Sequence, residues 1–213
     1  MPSKSAATER RKIAAESFGN AASAIGVVGA GSSVFCVTRG QWSMIDAILH
    51  VMDCTSGPVR LSLWTWTVAE YEVQVLTRLR IDKRLQWGRL VIDGGARVKN
   101  AGIIREWQES FGADSVRYVR NHAKIARIEA DGLRFLLRGS MNLNFNQRFE
   151  QFDLTEGGAD FDLVTQIEDL LPVLADTAPM SAVLQASKIS AAWGKEDLAL
   201  FGGDGKGLKT WHK

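Results

Sequence analysis

The chain has 213 residues, 46% of them hydrophobic and 23% charged, which is room for one globular core with at most a small appendage. That composition excludes a collagen-like repeat, a disulfide-dense miniprotein and a fully disordered chain. The net charge of +2 conceals an asymmetry: residues 1–149 carry 21 Lys and Arg against 13 Asp and Glu, whereas residues 150–213 carry 5 against 11.

Residues 1–24 read as a basic arm (Lys4, Arg10, Arg11, Lys12) followed by a small-residue segment of helical propensity. No leader-like apolar stretch stands behind the arm, and no apolar run reaches the roughly 18–20 residues of a membrane span. A cytoplasmic chain with no membrane partner is therefore expected. Gly26-Val-Val-Gly-Ala-Gly-Ser-Ser33 lacks the third glycine of a dinucleotide fingerprint and no βαβ unit frames it, so it reads as a loop into the apolar run Ser33–Thr38. Cys36 and Cys54 have neither CxxC nor Cys/His spacing, so neither a zinc site nor a structural disulfide is expected.

Trp42, Ile45, Leu49 and Met52 predict an amphipathic helix over 41–53, stopped by Thr55-Ser-Gly-Pro58. Val59–Thr67 alternates and predicts a strand; Val68–Arg80 is helix-like, with Val68, Tyr71, Val75 and Leu79 on one face. Arg89–Asp93 predicts a second strand broken by Gly94-Gly95, Asn100–Phe111 a helix ending at Gly112, and Ser115–Val119 a third strand. Ala123–Ile128 and Leu133–Leu137 flank Asp131-Gly132, the sequence of a hairpin. Phe161–Leu174 predicts a closing helix with Leu163, Ile167, Leu170 and Leu171 turned inward, within an acidic run over 150–176 that reads as a solvated helix surface. Strands alternating with helices imply an α/β fold with a mixed, largely parallel β-sheet flanked by helices. The expected divisions are an arm or helix over 1–24, a catalytic domain over 25–178 and a tail over 179–213, with no internal repeat.

The chemistry concentrates in one segment. Asn121-His-Ala-Lys124 places His122 and Lys124 two apart on a predicted strand, where period two points both side chains to one face. Beyond the Asp131-Gly132 turn comes Gly139-Ser-Met-Asn-Leu-Asn144, and hairpin pairing returns Ser140 and Asn142 to the neighbourhood of His122 and Lys124. Glu150 and Asp153 follow. An imidazole can attack phosphorus while Lys, Ser and Asn donate to the non-bridging oxygens, so this set suits a phosphoryl group.

The arrangement resembles the phospholipase D superfamily, whose signature is HxK, then an acidic residue, then GSxN. The matching residues are His122-Ala-Lys124, Glu129 or Asp131, and Gly139-Ser140-Met-Asn142. The likeness covers roughly residues 59–155, in the order of the family's small single-motif nucleases. One departure is the acidic position: family spacing lands on Glu129, while Asp131 lies two residues later. The resemblance implies that one histidine forms a phosphohistidine while a second protonates the leaving oxygen and then activates water. It implies no metal and no cofactor. It also gives Lys124, Ser140 and Asn142 the phosphoryl oxygens, and Glu150, with Asp153 as fallback, the orientation of an imidazole or lysine. Only one HxK is present, so the resemblance implies a homodimer with two copies of His122 facing each other across the two-fold axis.

Of possible phosphodiesters, nucleic acid fits first, DNA ahead of RNA, because a basic body gains from counterion release. Arg117, Arg120, Arg127 and Asn144 are the expected substrate contacts, and Trp64 and Trp66 offer an aromatic face or simply pack. Two other readings stand beside this one. The first is a catalytically silent nucleic-acid-binding or assembly protein of the same fold; the second is a phospholipid-cleaving enzyme.

Overall fold

Leu61 and Leu63 alternate with Ser62 and Trp64, and each set must find its own cover on opposite faces of a strand. In the computed structural model, which describes residues 11–17, 20–144 and 147–188, that requirement is met by helices on both sides of one sheet. In chain order the elements are β1 (Arg11–Ser17), α1 (Ala21–Ile25), β2 (Ser32–Thr38), α2 (Met44–Asp53), β3 (Val59–Thr65), α3 (Glu70–Ile81), β4 (Leu85–Asp93) and α4 (Ala101–Phe111). They continue with β5 (Val116–Val119), β6 (Ile125–Ala130), β7 (Leu133–Gly139), β8 (Glu150–Glu156), α5 (Ala159–Leu170) and α6 (Met180–Ala186). The sheet has 8 strands in the order β1-β2-β8-β7-β6-β3-β4-β5.

The sheet is mixed, as expected, but it is not largely parallel. Only β1–β2, β3–β4 and β4–β5 are parallel, and the other four pairings are antiparallel. The cause is local. After β5 the chain stops crossing over and returns through β6, β7 and β8 as a meander, turned by Asp131 and Gly132 at φ 52° and 76°. Two consecutive left-handed residues make the turn whose twist matches antiparallel strands. Asp131 also accepts from the Ser56 backbone N–H and hydroxyl at 2.5 and 2.6 Å, which pins the hairpin tip to the loop before β3.

The larger core lies under α1–α4 and holds Leu61, Leu63, Leu90, Ile92, Ala126 and Ile128. The opposite face lies under α5 and α6, with Val91 and Val119 in one small cluster and Leu136, Phe161 and Val164 in another. On α3 the buried face is Glu72, Val73 and Leu76, whereas Tyr71, expected inward, is exposed. On α5 the expected apolar side is also displaced. The helix ends at Leu170, which is exposed, and buries Phe161, Val164 and the acid Glu168. The sheet face beneath is itself polar, carrying Ser62, Arg89 and Arg127, so the helix turns a carboxylate toward it.

Three further elements lie where the sequence reading placed none. Residues 11–17 form an edge strand rather than part of an arm. Residues 150–156, read as helix surface, form the strand between β2 and β7, where Phe152 and Leu154 are fully buried and each contributes about 1.5–3 kcal/mol. Residues 180–186, expected in a tail, form α6, whose Val183 is fully buried against Gly94. Residues 26–31 form a loop, β2 already begins at Ser32, and the Gly31 N–H is taken by Glu156 at 2.9 Å. Cys36 and Cys54 are both free thiols, and burial pushes the Cys36 thiol up to about 11. Among the described residues no helix is long and apolar enough to cross a membrane.

Candidate active site

Strand direction decides where the motif residues meet. The ends of β3, β4, β5 and β7 and the beginnings of β6 and β8 all lie along one edge of the sheet. Loops leaving the carboxyl ends of parallel strands form the usual crevice of such folds. His122 and Lys124 occupy the β5–β6 connection; they precede β6 rather than lie on it, so their predicted strand placement is corrected.

The connection is held by a residue that sequence patterning passed over. Asn121 is buried, and its Nδ2 donates to the carbonyls of Thr65 and Val91 at 3.0 and 3.2 Å. Its Oδ1 accepts the Ala123 N–H at 2.9 Å, and its own N–H donates to Asp93 Oδ2 at 2.9 Å. Asp93 Oδ1 in turn accepts the Gly95 N–H at 2.8 Å. The loop carrying His122 is therefore tied to the ends of β3 and β4. No spacing rule announces such a role, because it depends on three strand ends converging.

His122 is exposed, whereas Lys124 is buried. Lys124 Nζ donates to the His122 carbonyl at 2.6 Å, and the Lys124 carbonyl accepts the Gly139 N–H at 3.1 Å, which joins the two motifs. Burial lowers the Lys124 pKa from the ordinary lysine value, and the Glu150 carboxylate partly opposes that shift. Ser140 donates its hydroxyl to Glu150 and accepts the Gln151 N–H at 3.0 Å. Asn142 Oδ1 lies 3.5 Å from the Thr65 hydroxyl, which also donates to the Thr67 carbonyl at 2.5 Å and accepts the Leu143 N–H at 3.2 Å. His122, Lys124, Ser140, Asn142 and Glu150 thus gather on one edge. Asp153 does not join them, because it lies within β8 opposite Arg138.

Gly139 has a steric reason to be glycine. A Cβ there would stand 2.2 Å from the Gln151 carbonyl oxygen and 2.8 Å from Phe152 Cα, so only a bare backbone lets β7 and β8 meet beside Ser140.

The expected substrate contacts divide. Arg117 is buried and donates to the carbonyls of Leu171, Asp114 and Val116; its pKa is lowered by burial and by Arg89. Arg127 is buried beneath α5 against Glu168 and Glu129. Neither faces the edge, because odd positions of β5 and β6 point to the α5–α6 side. Arg120 stays exposed at the edge with its Nε 3.8 Å from Asp93, and Asn144 is half-buried just after the Leu143–Val68 bridge. Asn146 and Phe145 fall outside the described residues. Sequence reasoning missed Arg39 and Arg148, which are exposed on the same edge at the end of β2 and before β8. The acidic motif position stays structural either way: Glu129 pairs with Arg127 at 2.5 Å and Asp131 holds Ser56. Among the described residues no group of three or more His, Cys, Asp or Glu is arranged to hold a metal ion.

No family model matches the chain, and no curated protein matches it. Among solved structures, a phosphatidylserine synthase of Haemophilus influenzae Rd KW20 is similar over 65% of this chain and 37% of its own, at 13% identity and a TM-score of 0.41. The chain thus spans well under half the length of that protein.

Proposed function

We propose that the chain is a metal-independent phosphodiesterase acting on nucleic acid, DNA ahead of RNA, through a phosphohistidine formed at a homodimeric site. The observation that carries this reading is the gathering of His122, Lys124, Ser140, Asn142 and Glu150 on one sheet edge, in the HxK and GSxN order of the phospholipase D superfamily. In this reading, Nε2 or Nδ1 of one His122 attacks phosphorus and the bond to the leaving oxygen breaks. The His122 of the second subunit gives its proton to that oxygen, then takes one from water as water displaces the imidazole.

Lys124 suits the anion's counter-charge. An ammonium has three donors, so holding the His122 carbonyl leaves others for phosphoryl oxygens. A partly desolvated ammonium also gains more from an arriving phosphate than a solvated one does. Glu150 favours the charged form of that lysine and holds the Ser140 hydroxyl, a positioning role toward lysine and serine. Arg120 and Arg148, exposed on this edge, are the proposed contacts to flanking phosphates, and Arg117 and Arg127 leave the proposal.

The test is cleavage of single- and double-stranded DNA and RNA in excess EDTA, with wild type beside His122→Ala and with phosphatidylcholine and phosphatidylserine vesicles as a parallel substrate. Cleavage of nucleic acid by wild type alone is the expected result. Equal cleavage by both proteins would remove His122 from the mechanism. Turnover of vesicles without nucleic acid would make the enzyme lipid-directed, and binding of nucleic acid without cleavage would make it a silent binding protein.

A further inference from the structure

We infer that the substrate of this site is single-stranded, and that Trp66 is the residue that selects it by stacking on a base beside the scissile phosphate; this rests on the nuclease reading above. The two tryptophans of β3 and its exit have separate fates. Trp64 is committed to the fold, its Nε1 donating to Glu168 at 2.8 Å beneath α5. Trp66 stands past the end of β3, 49% exposed, with its ring centroid 6.2 Å from the His122 imidazole and tilted 44° to it. A half-exposed indole next to an exposed histidine offers a large flat apolar surface at the point where phosphorus would sit.

A second aromatic surface lies at the far end of the same edge. Phe149, immediately before β8, is 70% exposed, and the Arg39 guanidinium lies 5.4 Å from its ring centroid. From β8 to β3 the sheet crosses three strand spacings, about 14 Å, and Ser140 and Lys124 stand between. A chain laid across the edge would set its backbone over Lys124 and Ser140 with bases free to lean on Trp66 and Phe149. A duplex keeps its bases stacked inside and has no free face to give, whereas an unpaired strand does. Base–aromatic stacking tolerates any sequence, so the selection is for strandedness rather than for particular bases.

The experiment compares single-turnover cleavage of one labelled oligonucleotide, alone and annealed to its complement, by wild type, Trp66→Ala, Trp66→Phe and Phe149→Ala. Quenching of a 2-aminopurine-containing strand is read in parallel on His122→Ala and on His122→Ala/Trp66→Ala, with the sedimentation coefficient of every variant. The expected result is faster cleavage of the unpaired strand by wild type. Trp66→Ala should lose roughly tenfold or more of that rate constant at subsaturating strand, mainly through KM, with rescue in Trp66→Phe and little change on duplex. Quenching should disappear with Trp66. Unchanged single-strand cleavage in Trp66→Ala overturns the inference while leaving the nuclease reading intact. A uniform loss on both substrates together with a smaller sedimenting species also overturns it, because Trp66 would then be a contact between subunits. Absence of both cleavage and quenching in the proteins that retain Trp66 defeats the nuclease reading itself.

Discussion

Arg127 and Glu168 meet at 2.9 Å beneath α5, the carboxylate fully buried and the guanidinium nearly so. The same carboxylate accepts from the Ser62 hydroxyl at 2.6 Å and from Trp64 Nε1 at 2.8 Å, and Arg89 Nη1 lies 3.5 Å away. This network holds α5 to the centre of the sheet. It also keeps away from the edge that carries His122 a cation that the sequence offers to phosphate. Glu168→Ala is expected to cost about 3–5 kcal/mol, because it takes the acceptor from the buried Ser62 hydroxyl, Trp64 Nε1 and Arg127 Nη2 and leaves Arg127 with Glu129 alone. Replacing both partners, as Arg127→Met with Glu168→Leu, should recover part of that loss, since Ser62, Trp64 and Arg89 still lose the carboxylate. Urea denaturation midpoints of the three proteins check this, and a double variant no more stable than the single one would refute the pairwise account.

Lys124 supplies a pH prediction whose two readouts move in opposite directions. Burial lowers its folded pKa below the unfolded lysine value of 10.5. Between the depressed value and 10.5 the unfolded chain binds the proton that the folded chain has released, so this group's destabilisation is full at lower pH and fades as pH rises through that window. Activity should do the reverse and fall as the ammonium is lost. Glu150 raises the Lys124 pKa, so Glu150→Gln is expected to shift the alkaline limb of activity to lower pH. Titrating the lysine side chain by carbon NMR in Glu150→Gln gives the same answer without any substrate.

Much of the scaffold was legible because it rests on local chemistry. Asp131-Gly132 supplies two residues that tolerate positive φ, so the β6–β7 hairpin follows from its turn. Gly112, at φ 97°, ends α4 where expected, and the GSxN segment returns to HxK because the hairpin brings it there. What stayed hidden depends on partners distant in sequence. Strand β8 carries Glu150, Asp153 and Glu156, and those acids mask the Phe152–Leu154 alternation that places it inside the sheet. An arginine reads the same in sequence whether it meets solvent or a buried carboxylate, so Arg117 and Arg127 could not be told from Arg120. The anchor Asn121 was invisible for the same reason: its partners Thr65, Val91 and Asp93 come together only when β3, β4 and β5 end side by side.

Two glycines of the hairpin region separate crowding from backbone strain. Gly139→Ala drives a methyl into the Gln151 carbonyl and Phe152 backbone, neither of which can swing aside, and should destabilise the protein by about 3 kcal/mol. Gly132→Ala meets nothing within 4 Å, but its φ of 76° is costly for an L side chain, so a loss of about 1–2 kcal/mol is expected. The larger effect of Gly139→Ala should come with loss of activity, because Ser140 and its bonds to Glu150 and Gln151 begin at the next residue. Thermal or urea unfolding orders the two variants, and the reverse order would show that β7 and β8 can separate at Gly139 at little cost.

The proposed two-fold site makes a prediction that no single-subunit mechanism shares. The chain carries one HxK, and the proposed mechanism takes its separate proton donor from a second imidazole, the His122 of the other subunit. A dimer assembled from one wild-type and one His122→Ala subunit keeps a single imidazole at the axis. Co-expression with two different affinity tags isolates that heterodimer away from both homodimers. If both histidines serve one site, its cleavage of single-stranded DNA should fall to background. If each subunit holds its own complete site, the heterodimer should keep about half of the wild-type rate, because one intact subunit remains. The half-active outcome would leave His122 as a catalytic residue but would require the second proton carrier to come from the same chain. Glu150 is the first candidate there, since it already lies against Ser140 and acts on Lys124.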